Sequence, residues 1–189
     1  EGLSEVDEAY AAAVASKVTG LPASQLGTPG MENSTMPSYC FFAGEISVAV
    51  TKAGGIPVYM TNSRGIGGAN IDADRAVDNA AKFLEGLGFK DLKTTYYMVS
   101  DNVCTINFAS SIGSTVVYPD LIKVLVALDN GSICGYDARG YIMNHKARTL
   151  PADIISKTEG LKSVSPKLSV ESVETAIIPT DSGKEVFCY

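Results

Sequence analysis

Ile71-Asp72-Ala73-Asp74-Arg75-Ala76-Val77-Asp78-Asn79-Ala80-Ala81-Lys82-Phe83-Leu84-Glu85-Gly86-Leu87-Gly88 carries the clearest structural signal in the chain. An apolar residue precedes Asp72, whose carboxylate can accept a hydrogen bond from an orphan amide in a helix's first turn. Ala76, Ala80, Phe83, Leu84 and Leu87 then fall at the spacing of one helical face. Gly86 and Gly88 stop the helix. Leu3-Ser4 and Ile155-Ser156 repeat the opening. Ser156 has Glu159 three residues on, as in a capping box, and Ser4 has Asp7 in the same place. Val6, Tyr10, Ala13 and Val14 form the matching stripe of the first copy, stopped near Gly20; Ser165-Pro166 ends a shorter third helix.

β-type sequence with a cysteine near the first strand follows each helix. The interval from Ile71 to Cys104 equals that from Ile155 to Cys188, and the interval from Leu3 to Cys40 is slightly longer, with extra turns at Leu21-Pro22 and Pro29-Gly30. Self-similarity at a fixed period is the signature of repeat architecture. Residues 45–50 alternate polar and apolar, as a half-buried strand should; Gly54-Gly55 turns the chain and residues 56–61 return. In the second copy residues 121–128 form the strand, Asn130-Gly131 signals a type I′ hairpin, and residues 132–136 return. The fold class is therefore α+β, a series of units in which one helix covers a small antiparallel sheet. Unit one spans residues 1–68 and unit two residues 69–148. Unit three, residues 149–189, stops after its first strand begins. An open sheet edge there invites dimer pairing or strand exchange. The joints are residues 64–69, rich in glycine, and residues 146–151.

Composition narrows the function. The chain has 189 residues, 46% of them hydrophobic, enough to bury a core. Its net charge of −6, with Lys and Arg scattered, gives phosphate no basic surface to release counterions from, so nucleic acid and anionic lipid are poor partners. No run approaches the roughly 20 apolar residues that span a bilayer. The chain opens on Glu1 rather than Met, as a fragment or processed form does. Four scattered cysteines and one histidine lack the paired spacing of a zinc site. Cys104 and Cys134 can lie on neighbouring strands and bond, whereas Cys40, Cys104 and Cys188 occupy equivalent places in separate units. Buried free thiols are the preferred reading.

Catalytic signals are thin. A serine or cysteine nucleophile needs a base, and His145, in Asn144-His145-Lys146-Ala147-Arg148, is the only histidine; a hydrogen-bonding role at the surface or between units suits it better. No G-x-S-x-G elbow is present. Gly65-Ile66-Gly67-Gly68 precedes a helix, but Asn70 stands where a dinucleotide loop has its third glycine, so a flexible joint is the better account. Asp72, Asp74 and Asp78 complement a helix dipole without offering a calcium loop. We expect no catalytic residue, no cofactor and no metal. The second unit is aromatic, and Tyr118 beside Asp120, with Tyr141 near His145, are the candidate anchors of a partner interface.

A helix-plus-meander unit in tandem resembles the PepSY domain, and several stretches resemble the YpeB family of spore-germination proteins in particular. They are Lys52-Ala53-Gly54-Gly55-Ile56-Pro57-Val58 leading to Asn62-Ser63-Arg64, and Ala81-Lys82-Phe83-Leu84-Glu85-Gly86-Leu87-Gly88-Phe89. The strongest is Val117-Tyr118-Pro119-Asp120-Leu121-Ile122-Lys123-Val124, running on to Ala127-Leu128-Asp129-Asn130-Gly131. Gly140-Tyr141-Ile142-Met143-Asn144-His145-Lys146, Ile178-Pro179-Thr180 and Glu185-Val186-Phe187-Cys188-Tyr189 complete the set. The resemblance implies a protein without catalytic activity, tethered by an N-terminal anchor absent from this chain and facing the space outside the inner membrane of the spore. It implies a partner, the cortex-lytic enzyme SleB, stabilised or regulated in the dormant spore. An inhibitor of a peptidase or cell-wall hydrolase is the alternative, since PepSY units also occur in propeptides.

Overall fold

A computed structural model describes residues 3–152 and 154–189. Helix α2 (Ala73–Gly86) starts as its sequence requires: the Asp72 side chain accepts from the Arg75 amide at 2.9 Å, and Ala76, Ala80 and Leu84 are buried. Helix α1 (Glu8–Thr19) differs from the sequence expectation. Its cap is Asp7, which accepts from the Tyr10 amide at 2.8 Å, and not Ser4. Its buried stripe is Ala11, Ala15 and Val18; of the expected residues Val6 and Val14 pack half-buried beside it, while Tyr10 and Ala13 are exposed. The cause is backbone pairing with a distant turn. Ser4 and Val6 hydrogen-bond through their backbones to Gly54 and Lys52, so residues 4–6 run extended along the Gly54-Gly55 turn and the helix starts later. Gly55, at φ +60°, lies under the Tyr10 ring, where a Cβ would come within 2.4 Å.

Eight strands belong to the first two units. They are β1 (Gly30–Glu32), β2 (Ser38–Ala43), β3 (Ile46–Thr51) and β4 (Pro57–Asn62), then β5 (Leu92–Ser100), β6 (Val103–Ile112), β7 (Thr115–Ala127) and β8 (Ile133–Asp137). Each unit is a meander, and the two meanders meet through their last strands. Strand β4 pairs antiparallel with β8 (Tyr59 with Asp137, Met60 with Tyr136, Thr61 with Gly135), giving the order β1-β2-β3-β4-β8-β7-β6-β5. Both helices bury their stripes on the same sheet face. Val48, Val50, Met60, Val124, Val126 and Tyr136 join Ala15 and Leu84 in one core, so the two copies share a single hydrophobic interior.

Several local expectations change. Strand β3 is not half-buried but buried on both faces. Val48 and Val50 lie in the main core, while Ala49 packs with Cys40 and Val58 under Ile142 of helix α3 (Arg139–Asn144). Asn130-Gly131 is not a type I′ turn, because Gly131 has φ +77° and Asn130 is not in the left-handed region. The pair with that geometry is Asp101-Asn102, at φ +51° and +59°, joining β5 to β6 where Ser100 faces Val103. All four cysteines are free thiols, Cys104 and Cys134 included, and Cys40 and Cys104 sit on the second strand of their units because β1 and β5 come first.

Unit three has helix α4 (Lys157–Leu161), capped by Ser156, and two strands where the pattern suggested the start of one. They are β9 (Ala176–Pro179) and β10 (Glu185–Cys188), paired antiparallel. Strand β9 also runs parallel to the first residues of β7, with Val116 opposite Ala176 and Val117 opposite Ile177. All ten strands thus form one sheet. Among the described residues, no helix is long and apolar enough to cross a membrane.

Candidate functional site

Strand β7 leaves its ladder once. Ala109 faces Leu121, but the next residue, Ser110, faces Val117, so Tyr118-Pro119-Asp120 is an excursion with no partner on β6. Pro119 has no amide to donate and is tolerated at such an irregularity. Bulges re-aim side chains, and this one accompanies a fully buried Asp120, at 0% exposure.

The buried carboxylate is fully engaged. Its Oδ2 accepts from Ser110 Oγ at 2.7 Å and Arg148 Nη1 at 3.0 Å, and lies 2.7 Å from His145 Nδ1. Its Oδ1 accepts from Arg148 Nη2 at 2.9 Å. The Arg148 side chain, 6% exposed, uses its other edge on Glu185 of β10, through Nε at 3.0 Å and Nη2 at 2.9 Å. It also donates to the Lys146 and Asn144 carbonyls. The Lys146 ammonium lies 3.3 Å from Glu185. The Arg148 fork, then Lys146, holds the Glu185 carboxyl down at about 2; Glu185, then Asp120, holds the Arg148 guanidinium above its ordinary value. The network therefore ties the β7 excursion to unit three.

Helix α3 supplies the cover. Gly140 packs so closely on β7 that a Cβ would come within 2.9 Å of the Leu121 carbonyl oxygen. Asn144 Nδ2 donates to the Pro119 carbonyl at 3.1 Å, which fixes the end of the helix to the excursion. Tyr141 stacks on His145 with ring centroids 4.3 Å apart, and meets Phe89 edge-on. Burial pushes the Tyr141 phenol up. A cleft of about 280 Å³ opens beside them, lined in part by Lys90, Asp91, Ser110 and Ser111.

Of the residues singled out from sequence, Asp120, Tyr141 and His145 come together here. Tyr118 is half-buried at the start of the excursion and outside the ionic network. Sequence reasoning missed Ser110, Arg148, Lys146 and Glu185. Lys146 and Arg148 lay in a stretch read as a joint, and Glu185 is brought in by the β9–β10 hairpin, whose local signal is the Asp181-Ser182-Gly183 turn between two short apolar runs. The glycine-rich joint is also pinned and not free. Arg64 forks onto Asp129 with both contacts at 2.7 Å, and the Gly67 amide donates to the same carboxylate at 3.0 Å. Those two donors, Arg64 first, hold the Asp129 carboxyl below the ordinary range.

Chemically, Ser110 points its hydroxyl at Asp120, and His145 Nδ1 engages the same carboxylate oxygen. A nucleophilic serine instead needs its hydroxyl on the histidine. Among the described residues, no group of three or more His, Cys, Asp or Glu side chains is placed to hold a metal, and every buried side-chain nitrogen or oxygen has a partner.

Residues 1–151 match the family model for the PepSY1 and PepSY2 domains of the YpeB sporulation protein. The sporulation protein YpeB of Halalkalibacterium halodurans is 34% identical over 140 residues, covering 74% of this chain and 31% of that protein. YpeB of Bacillus subtilis is 30% identical over 146 residues, 76% of this chain and 32% of that protein. The chain thus spans about a third of the length of these curated relatives. Among solved structures, the Bacillus megaterium YpeB C-terminal domain aligns with a TM-score of 0.84 at 26% identity, covering 98% of this chain and 86% of that one.

Proposed function

The chain belongs to the YpeB family of sporulation proteins, and from that premise we propose that it is a non-catalytic scaffold that binds and stabilises a cortex-lytic enzyme, SleB, in the dormant spore. In the full-length protein the scaffold faces the extracytoplasmic side of the spore inner membrane, held by an anchor outside this chain. One observation carries the reading: the carboxylate–arginine–carboxylate network around buried Asp120 spends its donors and acceptors on joining units instead of facing a reactive group. Ser110 and His145 both converge on Asp120, which favours a positioning role for each.

The mechanism is mass action. A scaffold that binds folded enzyme only stabilises it by RT ln(1 + [L]/Kd), about 2.7 kcal/mol at a hundredfold excess over Kd, and so lowers the unfolded population open to proteases. The test mixes this chain with purified SleB and follows binding, enzyme melting temperature and turnover. We expect complex formation and a raised melting temperature with turnover unchanged. Turnover suppressed on binding would favour the inhibitor. Absence of any complex would remove the partner, and cortex hydrolysis by the pure chain that disappears in His145→Ala would overturn the non-catalytic reading.

A further inference from the structure

Among the described residues the sheet has three free strand edges, and they are not alike. Strand β1 is three residues long and carries Glu32; β10 is four residues long and carries Glu185. Short edges with charges are how soluble proteins discourage strand addition. Strand β5 is nine residues long, and from Thr94 to Ser100 it carries no Asp, Glu, Lys or Arg. It holds the same place in unit two as β1 does in unit one, so the internal duplication supplies its own comparison: one copy of this edge is blunted and the other is not.

Both faces of β5 are apolar and open. Tyr97 and Val99 face Ile106 and Cys104, which are fully buried, yet are themselves 47% and 49% exposed: the core cover stops one strand early. On the other face Tyr96 and Met98, opposite Asn107 and Thr105, are 60% and 62% exposed. An occupant that bonds to the edge therefore sets its own side chains beside apolar neighbours on both faces at once.

We propose that the occupant is a second copy of this chain, added antiparallel through its own β5 about a two-fold axis at Met98. The stretch fits itself. That register sets Met98 opposite Met98 of the second copy and Tyr97 opposite its Val99, an aromatic–β-branched pair of the kind that stabilises sheets. Tyr96 lies diagonal to the second copy's Met98, within reach of a sulfur–aromatic contact. No charge meets a like charge, which matters for a chain of net charge −6. The bulge at Thr95 confines pairing to residues 96–100. At roughly 150–250 Å² per large side chain, these exposed fractions amount to at most about 700–1,000 Å² for the pair, short of the ~1,200 Å² of a standard stable interface. The dimer is accordingly weak, with Kd roughly micromolar or above.

Sedimentation velocity on the purified chain over about 5 to 500 µM tests this range. Wild-type protein should pass from monomer to dimer. Met98→Lys and Tyr97→Lys, both at exposed positions and so expected to keep the wild-type circular dichroism and melting temperature, should remain monomeric. Phe42→Lys, 61% exposed on β2, should dimerise like wild type. In a Cys188→Ser background, Met98→Cys should form an intermolecular disulfide under mild oxidation, because directly opposed residues lie about 4.5–5.5 Å apart, inside disulfide range. A monomer at every concentration, a dimer that survives the lysine variants, or failure of Met98→Cys to cross-link would each overturn the proposal.

Discussion

Replacing Arg148 by Met isolates the central claim about the network. The change keeps the aliphatic stem and removes the guanidinium, which is 6% exposed and meets Asp120 through two contacts, at 2.9 and 3.0 Å. Asp120 stays fully buried, with only Ser110 and His145 as donors. Breaking a buried pair by removing one partner costs about 3–5 kcal/mol, because the remaining charge has lost its compensation. Ser110 and His145 keep their contacts with the carboxylate, so the low end of that range, about 3–4 kcal/mol, is the expected loss. With a urea m-value of about 2–3 kcal/mol/M for a chain of this size, the unfolding midpoint falls by roughly 1–2 M. Glu185→Gln, which removes a rim partner, should cost only about 1 kcal/mol. Adding Asp120→Asn to Arg148→Met should recover part of the loss, because removing both members of a buried pair is cheaper than orphaning one. Urea titrations of the three single variants and the double variant form the cycle. Additive effects, or a loss under about 1 kcal/mol for Arg148→Met, would refute the idea that Asp120 depends on the arginine.

Three further outcomes follow from the same geometry. The Glu185 carboxyl is lowered from the usual 4.5 to about 2, so its contribution to stability is complete above the usual value and is lost as pH falls towards 2. The gap in urea midpoint between wild type and Glu185→Gln should be constant near neutrality and close on acidification; a gap that widened would contradict the assignment. Asp129→Asn should leave the core intact while speeding amide hydrogen exchange across residues 64–71, measured by mass spectrometry, since Arg64 and Gly67 lose their shared acceptor. Gly140→Ala should destabilise by about 1–3 kcal/mol through overpacking, the opposite sign to the same change at an open helical site, because the new methyl meets the Leu121 carbonyl. Thermal melts decide that sign.

What was legible in sequence is what depends on near neighbours. The Asp72 cap, the Ala76-Ala80-Leu84 stripe and the return strands β4 and β8 rest on spacings of a few residues, and they stand as read. What failed was decided at a distance. Ser4 has the chemistry of a cap, but the Gly54-Gly55 turn engages it from fifty residues away. Asn130-Gly131 has the composition of a type I′ turn, but the clamp from Arg64 onto Asp129 and Asn130 holds a wider loop. Asp101-Asn102 adopts the tight turn without a glycine, as Asn and Asp tolerate the left-handed region. In the candidate site, Asp120, Tyr141 and His145 were marked because aromatics and a lone histidine stand out. Arg148 and Glu185 looked like ordinary surface charges until the fold brought them together.

The two stretches that read as joints each carry an arginine fork, and both of these forks close on acids carried by one strand or its turn. Asp120 lies within β7 and Asp129 just beyond its end. Arg64 reaches back from the entry to unit two, and Arg148 reaches forward to Glu185 in unit three. A flexible connection between small modules would let them move independently. A planar, bidentate guanidinium removes that freedom in a way a lysine ammonium, as a point charge on a mobile stem, does not. Strand β7 and its turn therefore pin both joints, and together with the β4–β8 pairing and the core shared by units one and two they let an interface assembled from residues of different units keep its geometry. On this argument Arg64→Lys and Arg148→Lys, which preserve charge, should still loosen the joints. Retained hydrogen-exchange protection at residues 64–71 and 146–151 in the lysine variants would mean that charge alone holds the joints in place.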